Sequence, residues 1–393
     1  MKTIRRVILK EVASIERSSI QPSDISQGTP YLGLEHIESG GRILGAIAVE
    51  KGELASSKFR FSGQHILYGK LRPYLAKIAL PNFVGICSTD ILPILPTPNL
   101  DRRYLCYFLR QPSMVEYASS QATGANLPRL SPTVLEKIEI PLPPLAEQKR
   151  IAEILDKAEE LRAKRRTALA QLDTLTQSIF LEMFGDPIEN ERRWDEVQVR
   201  DFVAGFESGK SLVADDEDSQ ESHYRVLKVS AVTSLRFRPD ESKALPPDYI
   251  PPRSHVVQKG DLLFSRANTA DLIGATALVD EVPENIVLPD KLWRFVWHTP
   301  RNANPSFVRF LFQHPKFRHE IGKRATGTSG SMKNISQEKV LGITCALPPM
   351  ELQEKFAHRV TSVEKLKATQ QASLAKLDTL FASLQYKAFE GGL

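Results

Sequence analysis

Long apolar runs are missing from this 393-residue chain. No stretch of about 18 consecutive apolar residues occurs, and the opening MKTIRRVILKEVASIERS returns to charge too soon to hold the apolar region of a signal peptide. The expectation is a cytoplasmic protein with no membrane association. Cysteine is scarce: Cys87, Cys106 and Cys345 stand among apolar neighbours and no CxxC pair is present, which argues against a disulfide framework or a zinc site. Catalytic signatures are missing too. There is no glycine-rich nucleotide loop, no Asn-Pro-Pro-Tyr-like methyltransferase motif, and no histidine pair at metal spacing, since His314 and His319 lie five apart on a charged segment. In Pro239-Asp240-Glu241-Ser242-Lys243 the acidic residues abut instead of lying on separate strands, so a nuclease centre is not indicated. What remains is a non-catalytic class that needs no metal or cofactor of its own.

The net charge is +5, a mild excess of basic residues that permits a polyanionic partner without demanding one. Residues 1–144 hold 17 Lys and Arg against 12 Asp and Glu, whereas residues 187–348 hold 22 of each. An acidic loop, Asp215-Asp216-Glu217-Asp218 with Glu221, accounts for much of the second balance, so any basic face must be local.

What the chain does contain is an internal repeat at a constant offset of 205 residues. Leu142-Pro143-Pro144 recurs as Leu347-Pro348-Pro349, Gln148 as Gln353, and Leu172-Asp173-Thr174-Leu175 as Leu377-Asp378-Thr379-Leu380. In both copies apolar residues step by threes and fours, with polar breaks (Arg165, Gln370, Ser373) near the middle: Ile151, Leu155, Ala158, Leu161, Ala168, Leu172, Leu175 and Ile179 in one, Phe356, Val360, Val363, Leu366, Leu377, Leu380 and Leu384 in the other. That spacing predicts a helix packed lengthwise on a partner. Each copy opens on a Pro-Pro pair and closes at glycine, as helices do. About forty residues at 1.5 Å each make a helix roughly 60 Å long, too long for one compact domain, so each copy is the natural partner of the other.

A domain precedes each helix. Residues 1–141 mix short β-rich runs (Tyr31 to Ile37, His65 to Tyr68, Ala76 to Leu80, Ile91 to Leu95) with turn signals, then a helix at about Arg102 to Gln121. Residues 187–346 repeat the plan with little identity: Ile66-Leu67-Tyr68-Gly69-Lys70 aligns with Leu262-Leu263-Phe264-Ser265-Arg266, Tyr104 to Leu109 with Phe307 to Phe312, and Ala122-Thr123-Gly124 with Ala325-Thr326-Gly327. The fold class is α+β: two similar domains (1–141 and 187–346) separated by an antiparallel two-helix coiled coil built from 142–186 and 347–393.

The LPPLAEQKRIAEIL run with its LDTL continuation, the degenerate LPPMELQEKF copy, the ILYGKLRP and DLLFSRANT segments, and the ATG ahead of each helix together resemble the DNA-specificity subunit of type I restriction-modification systems, over essentially the whole chain. The resemblance implies two target-recognition domains, each reading one half of a split double-stranded DNA target. It also implies two methyltransferase subunits docked on the complex and restriction subunits added for cleavage. S-adenosylmethionine is then expected on the methyltransferase partners, and ATP and Mg on the restriction subunits. Two other classes stay open: a two-domain coiled-coil scaffold that does not bind DNA, and the specificity part of a larger restriction enzyme.

Base reading needs planar donor and acceptor side chains on loops that reach a groove, while basic and hydroxyl groups hold phosphates. The loops after the aligned strands supply Lys70 and Arg72 in the first domain and Arg266, Asn268 and Thr269 in the second. The loops ahead of the long helices supply Thr123, Asn126 and Arg129, and Lys323, Arg324, Thr328, Ser329, Ser331, Lys333 and Asn334. The run Arg162, Lys164, Arg165, Arg166 is a second basic feature, and on a long exposed helix such a run is more often a solvated face.

Overall fold

The computed structural model describes residues 5–50, 52–211, 223–327 and 332–390. The acidic loop at 215–221 and the candidates Thr328, Ser329 and Ser331 lie outside the described residues. The chain divides into two compact units, Met1–Thr167 with Gln371–Leu393, and Ala168–Gln370.

In the first unit four antiparallel strands, β1 (Ala13–Ile15), β2 (Ile66–Gly69), β3 (Ile78–Ala79) and β4 (Ile91–Pro96), form a sheet in the order β1-β4-β2-β3. A second sheet of five short strands takes the order Ser19–Ile20, Lys58–Phe61, Gly85–Cys87, Pro30–Leu32, Ile47–Ala48. The expected strand over Tyr31 to Ile37 is shorter than its composition suggests. It ends at Leu32, and a 3-10 turn over Leu34–His36 follows, with the Gly33 N–H donating to His36 Nδ1 at 2.9 Å.

The single helix expected from Arg102 to Gln121 is two helices, α1 (Arg102–Leu109) and α2 (Pro112–Ser120). The break lies at Gln111, extended at ψ 139°, because proline has no N–H to donate and its ring excludes the helical conformation of the residue before it. Asp101 caps α1, accepting from the N–H groups of Arg103 and Tyr104 at 2.9 and 3.0 Å.

The second unit carries the same sheet. Strands β5 (Val203–Ser208), β6 (Leu262–Ser265), β7 (Thr276–Leu278) and β8 (Leu292–Trp297) take the order β5-β8-β6-β7, again antiparallel. Helices of 305–313 and 315–324 stand where α1 and α2 stand in the first unit, with Asn304 as the cap and a break ahead of Pro315. The two domains share a plan despite their poor residue identity.

The long helices are α3 (Leu145–Phe184, 40 residues) and α4 (Met350–Glu390, 41 residues). The backbone leaves α3 through Gly185 at φ +72°, a conformation that glycine takes without steric cost. In the first unit the beginning of α3 shares a core with the end of α4: Ile151, Ala152 and Leu155 cluster with Ala388 and Phe389, and the Phe389 ring lies 5.0 Å from that of Tyr104. Farther along, Arg162 Nε reaches Asp378 Oδ1 at 2.6 Å and the guanidinium stacks 4.3 Å from the Phe381 ring. In the second unit the end of α3 meets the beginning of α4, with Phe180 and Phe184 packed on Phe356 at 5.6 and 5.3 Å and Phe307 in the same cluster. Full burial of one such side chain contributes about 1.5–3 kcal/mol. Within the first unit, contacts along the two helices thus run in opposite order.

The seam differs from the heptad expectation. Leu161, Leu175, Leu366 and Leu380 are 53%, 43%, 46% and 50% exposed. The neighbouring helix contacts are filled instead by charged side chains: Arg162 on Asp378 and Phe381 in the first unit, and Lys367, only 4% exposed, on Asp173 at 2.7 Å in the second. The basic run on α3 is likewise engaged, with Arg162 and Arg166 on Glu159 and Lys164 on Glu160.

Candidate nucleic-acid interface

In the first unit the loop after β2 and the loop ahead of the long helix are stitched together by backbone hydrogen bonds. The Leu130 N–H donates to the Lys70 carbonyl at 2.9 Å, the Arg72 N–H to that of Pro128 at 2.8 Å, and Thr123 and Arg129 exchange N–H to carbonyl bonds at 3.1 and 2.9 Å. This brings Lys70, Arg72, Thr123, Asn126 and Arg129 onto one surface. Arg72, Thr123, Asn126 and Arg129 are exposed and Lys70 is half-buried. Arg72 holds a left-handed backbone at φ +51°, a conformation that costs a residue other than glycine about 1 kcal/mol and clusters at binding sites.

The second unit repeats the frame. The Ile335 N–H donates to the Arg266 carbonyl at 3.1 Å, and Thr326 and Asn334 exchange two bonds of 2.8 Å. Ala267 and Asn268 pair with Asn334 and Lys333 as a short ladder. Arg266, Asn268, Lys333 and Asn334 are therefore neighbours. The Arg266 side chain lies back on its own domain, Nε donating to the Asp290 carbonyl at 2.9 Å with the guanidinium 5.8 Å from the Trp293 ring. Asn268 Oδ1 accepts from the N–H of the exposed Thr269 at 2.9 Å. Lys323 and Arg324, expected on a loop, instead end the helix of 315–324, where both meet Glu320. Basic side chains in a last turn complement the carbonyl end of the helix dipole. Lys323 and Lys333 line one cleft of about 890 Å³ with Phe180, Phe310, His314 and Arg318.

Residues 1–172 match the family model of the type I restriction modification DNA specificity domain. Over 208 residues the chain is 29% identical to the type I restriction enzyme EcoDI specificity subunit of Escherichia coli, covering 52% of this chain and 46% of that protein. Over 306 residues it is 26% identical to the EcoKI specificity subunit of Escherichia coli strain K12, covering 74% and 65%. In fold it resembles a chain from a solved structure titled for complex assembly and conformational transition of the type I R-M system, with TM-score 0.61, 19% identity and 100% and 99% of the two chains covered. The type I restriction-modification system S subunit from M. genitalium gives TM-score 0.56 at 13% identity, with 99% and 97% covered. The chain is similar to type I DNA-specificity subunits over most of its length. It spans about half to two thirds of the length of these first two sequence relatives.

The geometry adds residues that the sequence pattern did not single out. Asp90, just before β4, accepts from Arg129 Nε and Nη2 at 2.9 and 3.1 Å and lies 3.7 Å from Lys70 Nζ. The Arg129 hydrogen bond holds the Asp90 carboxyl below its ordinary range; burial opposes this, and the charges of Arg129 and Lys70 reinforce it. Gln148, singled out only as a repeated letter, is a buried clamp. Its Oε1 accepts from the Asp101 N–H at 2.8 Å, and its Nε2 donates to the carbonyls of Asn99 and Pro143 at 3.1 and 2.8 Å. Gln353 does the same, accepting from the Asn304 N–H and donating to the Pro348 carbonyl, both at 2.8 Å. Each clamp ties the start of a long helix to the capped helix of its own domain. The offset of 205 residues was its visible signal.

Proposed function

We propose that this chain is the DNA sequence-recognition subunit of a type I restriction-modification complex. Residues 1–141 and 187–346 are its two target-recognition domains, and each reads one half of a bipartite double-stranded target. The helical regions 142–186 and 347–393 form the antiparallel coiled coil between them, set the gap between half-sites and dock two methyltransferase subunits. The observation that carries this reading is the repeated backbone frame, which sets Lys70 and Arg129 in one unit, and Arg266 and Asn334 in the other, in matching positions on exposed loops. Two similar reading surfaces fit a two-part target of separated half-sites. The chain performs no chemistry itself. S-adenosylmethionine belongs to the methyltransferase subunits, ATP and Mg to restriction subunits, and the complex works in the cytoplasm.

A gel shift on duplex DNA, run with and without methyltransferase subunits, tests the proposal. Specific retardation in their presence supports it. A pure two-domain scaffold retards DNA under neither condition.

A further inference from the structure

We infer that Arg129, held edge-on by Asp90, reads a guanine in the half-site contacted by the first unit, and that Asp90 is its positioning residue. This rests on the DNA-recognition reading above. A guanidinium can present two parallel N–H donors along more than one edge. Asp90 takes the edge formed by Nε and Nη2, at 2.9 and 3.1 Å. What is left is the edge formed by Nη1 and Nη2. The Nη1 contact with the Leu127 carbonyl is 3.5 Å, long for a hydrogen bond, and the side chain is 43% exposed. Two parallel donors match guanine O6 and N7, the pair of acceptors that guanine presents in the major groove. Adenine shows one acceptor beside a donor there, and the pyrimidines show a single polar group.

The local charge favours a base over a phosphate. The Asp90 carboxylate already counters the cations beside it: Lys70 and Arg129 against Asp90 leave one net positive charge, and a carboxylate set against a phosphate repels it. A neutral base edge meets no such penalty, and fixing the guanidinium beforehand removes part of the ordering cost of binding. The clamp is also not what holds the loops together. In the second unit the Arg266 N–H donates to the Lys291 carbonyl as the Lys70 N–H does to that of Asp90, so Lys291 occupies the position of Asp90 and Asn334 that of Arg129. The frame forms there without an acidic residue at that position. The Asp90–Arg129 pair is therefore an addition to the frame, placed on its exposed side.

The test uses the chain assembled with its methyltransferase subunits. Methylation-site sequencing gives the parental target, and fluorescence anisotropy then measures binding to duplexes in which each G·C pair of the first half-site is replaced in turn. In the parent, one replacement should weaken binding by roughly 10- to 100-fold. Arg129→Lys keeps the charge but loses the planar edge. It should reduce that penalty to under about 5-fold while leaving the salt dependence unchanged. Asp90→Asn should do the same by releasing the side chain. Unaltered penalties across the other half-site establish that both variants are folded. Equal weakening of every duplex by Arg129→Lys would make Arg129 a phosphate ligand and overturn the inference, and a full parental penalty in Asp90→Asn would overturn the role of Asp90. Base-independent binding by the parent would instead overturn the DNA-recognition reading on which both rest.

Discussion

Replacing Gln148 by alanine should loosen the junction between the first domain and its long helix, by an amount that follows from the structure. Gln148 is 1% exposed and makes three hydrogen bonds, to the Asp101 N–H and to the carbonyls of Asn99 and Pro143. Its loss strands a donor in a part-buried site, which costs about 1–3 kcal/mol. The two carbonyls keep a second lone pair each, and the released glutamine entropy returns on the order of 1 kcal/mol. Because the side chain is fully buried, the net cost falls in the upper half of the difference, about 1–2 kcal/mol. Hydrogen exchange in peptides covering residues 99–105 reads this as local opening, which should rise roughly 5- to 30-fold. Peptides covering 302–308 should not change, because Gln353 still holds Asn304. Gln353→Ala should invert the pattern. A rise of less than about threefold at 99–105 would correspond to under 1 kcal/mol, which is too little for a buried clamp and would refute the reasoning.

Inserting four residues after Arg166 lengthens α3 by about 6 Å and should add one or two base pairs between half-sites, at about 3.4 Å each; methylation-site sequencing that finds an unchanged gap assigns the spacing to DNA bending or to the partner subunits. Lys70→Ala and Arg266→Ala should weaken binding. A phosphate contact would lower the salt slope by about one, and a base contact would cost about 1–3 kcal/mol at one position, so parental affinity in both variants would misplace the groove-facing loops. Because the folded Asp90 carboxyl is depressed mainly by Arg129, its contribution is complete above the unfolded pKa of about 3.9 and is lost as pH falls through the lower folded value. The urea-stability difference between parent and Asp90→Asn should stay constant from about pH 8 to 6 and shrink only below about pH 4; shrinkage near neutrality would contradict the pairing.

The sequence made the long helices legible because their signals lie in the letters themselves: a Pro-Pro entry, apolar steps of three and four, and a second, degenerate copy at a constant offset. The break at Pro112 is equally local, a proline that the helical pattern around it outweighed. The shared sheet order was harder to see, since its strands are two to six residues long and pairings such as Ile94 with Ile15 join distant segments. Leu161 and Leu380 misled because heptad spacing says which residues share a stripe but not whether an arginine such as Arg162 fills the contact. In the candidate interface, strand ends and ATG tripeptides located the loops. Asp90 escaped notice because it lies 39 residues from Arg129, and a lone carboxylate at a strand start has no pattern to betray its partner. The clamp role of Gln148 was hidden likewise, with its acceptor bond reaching 47 residues back to Asp101.

The central claim is that each domain reads its own half of the target. Residues 187–341 can be exchanged for those of a related specificity subunit, and the methylated sites then mapped across the genome of a host carrying the chimera. The account predicts that one half-site changes while the other half-site and the gap persist. A change in both halves, or in neither, would contradict it.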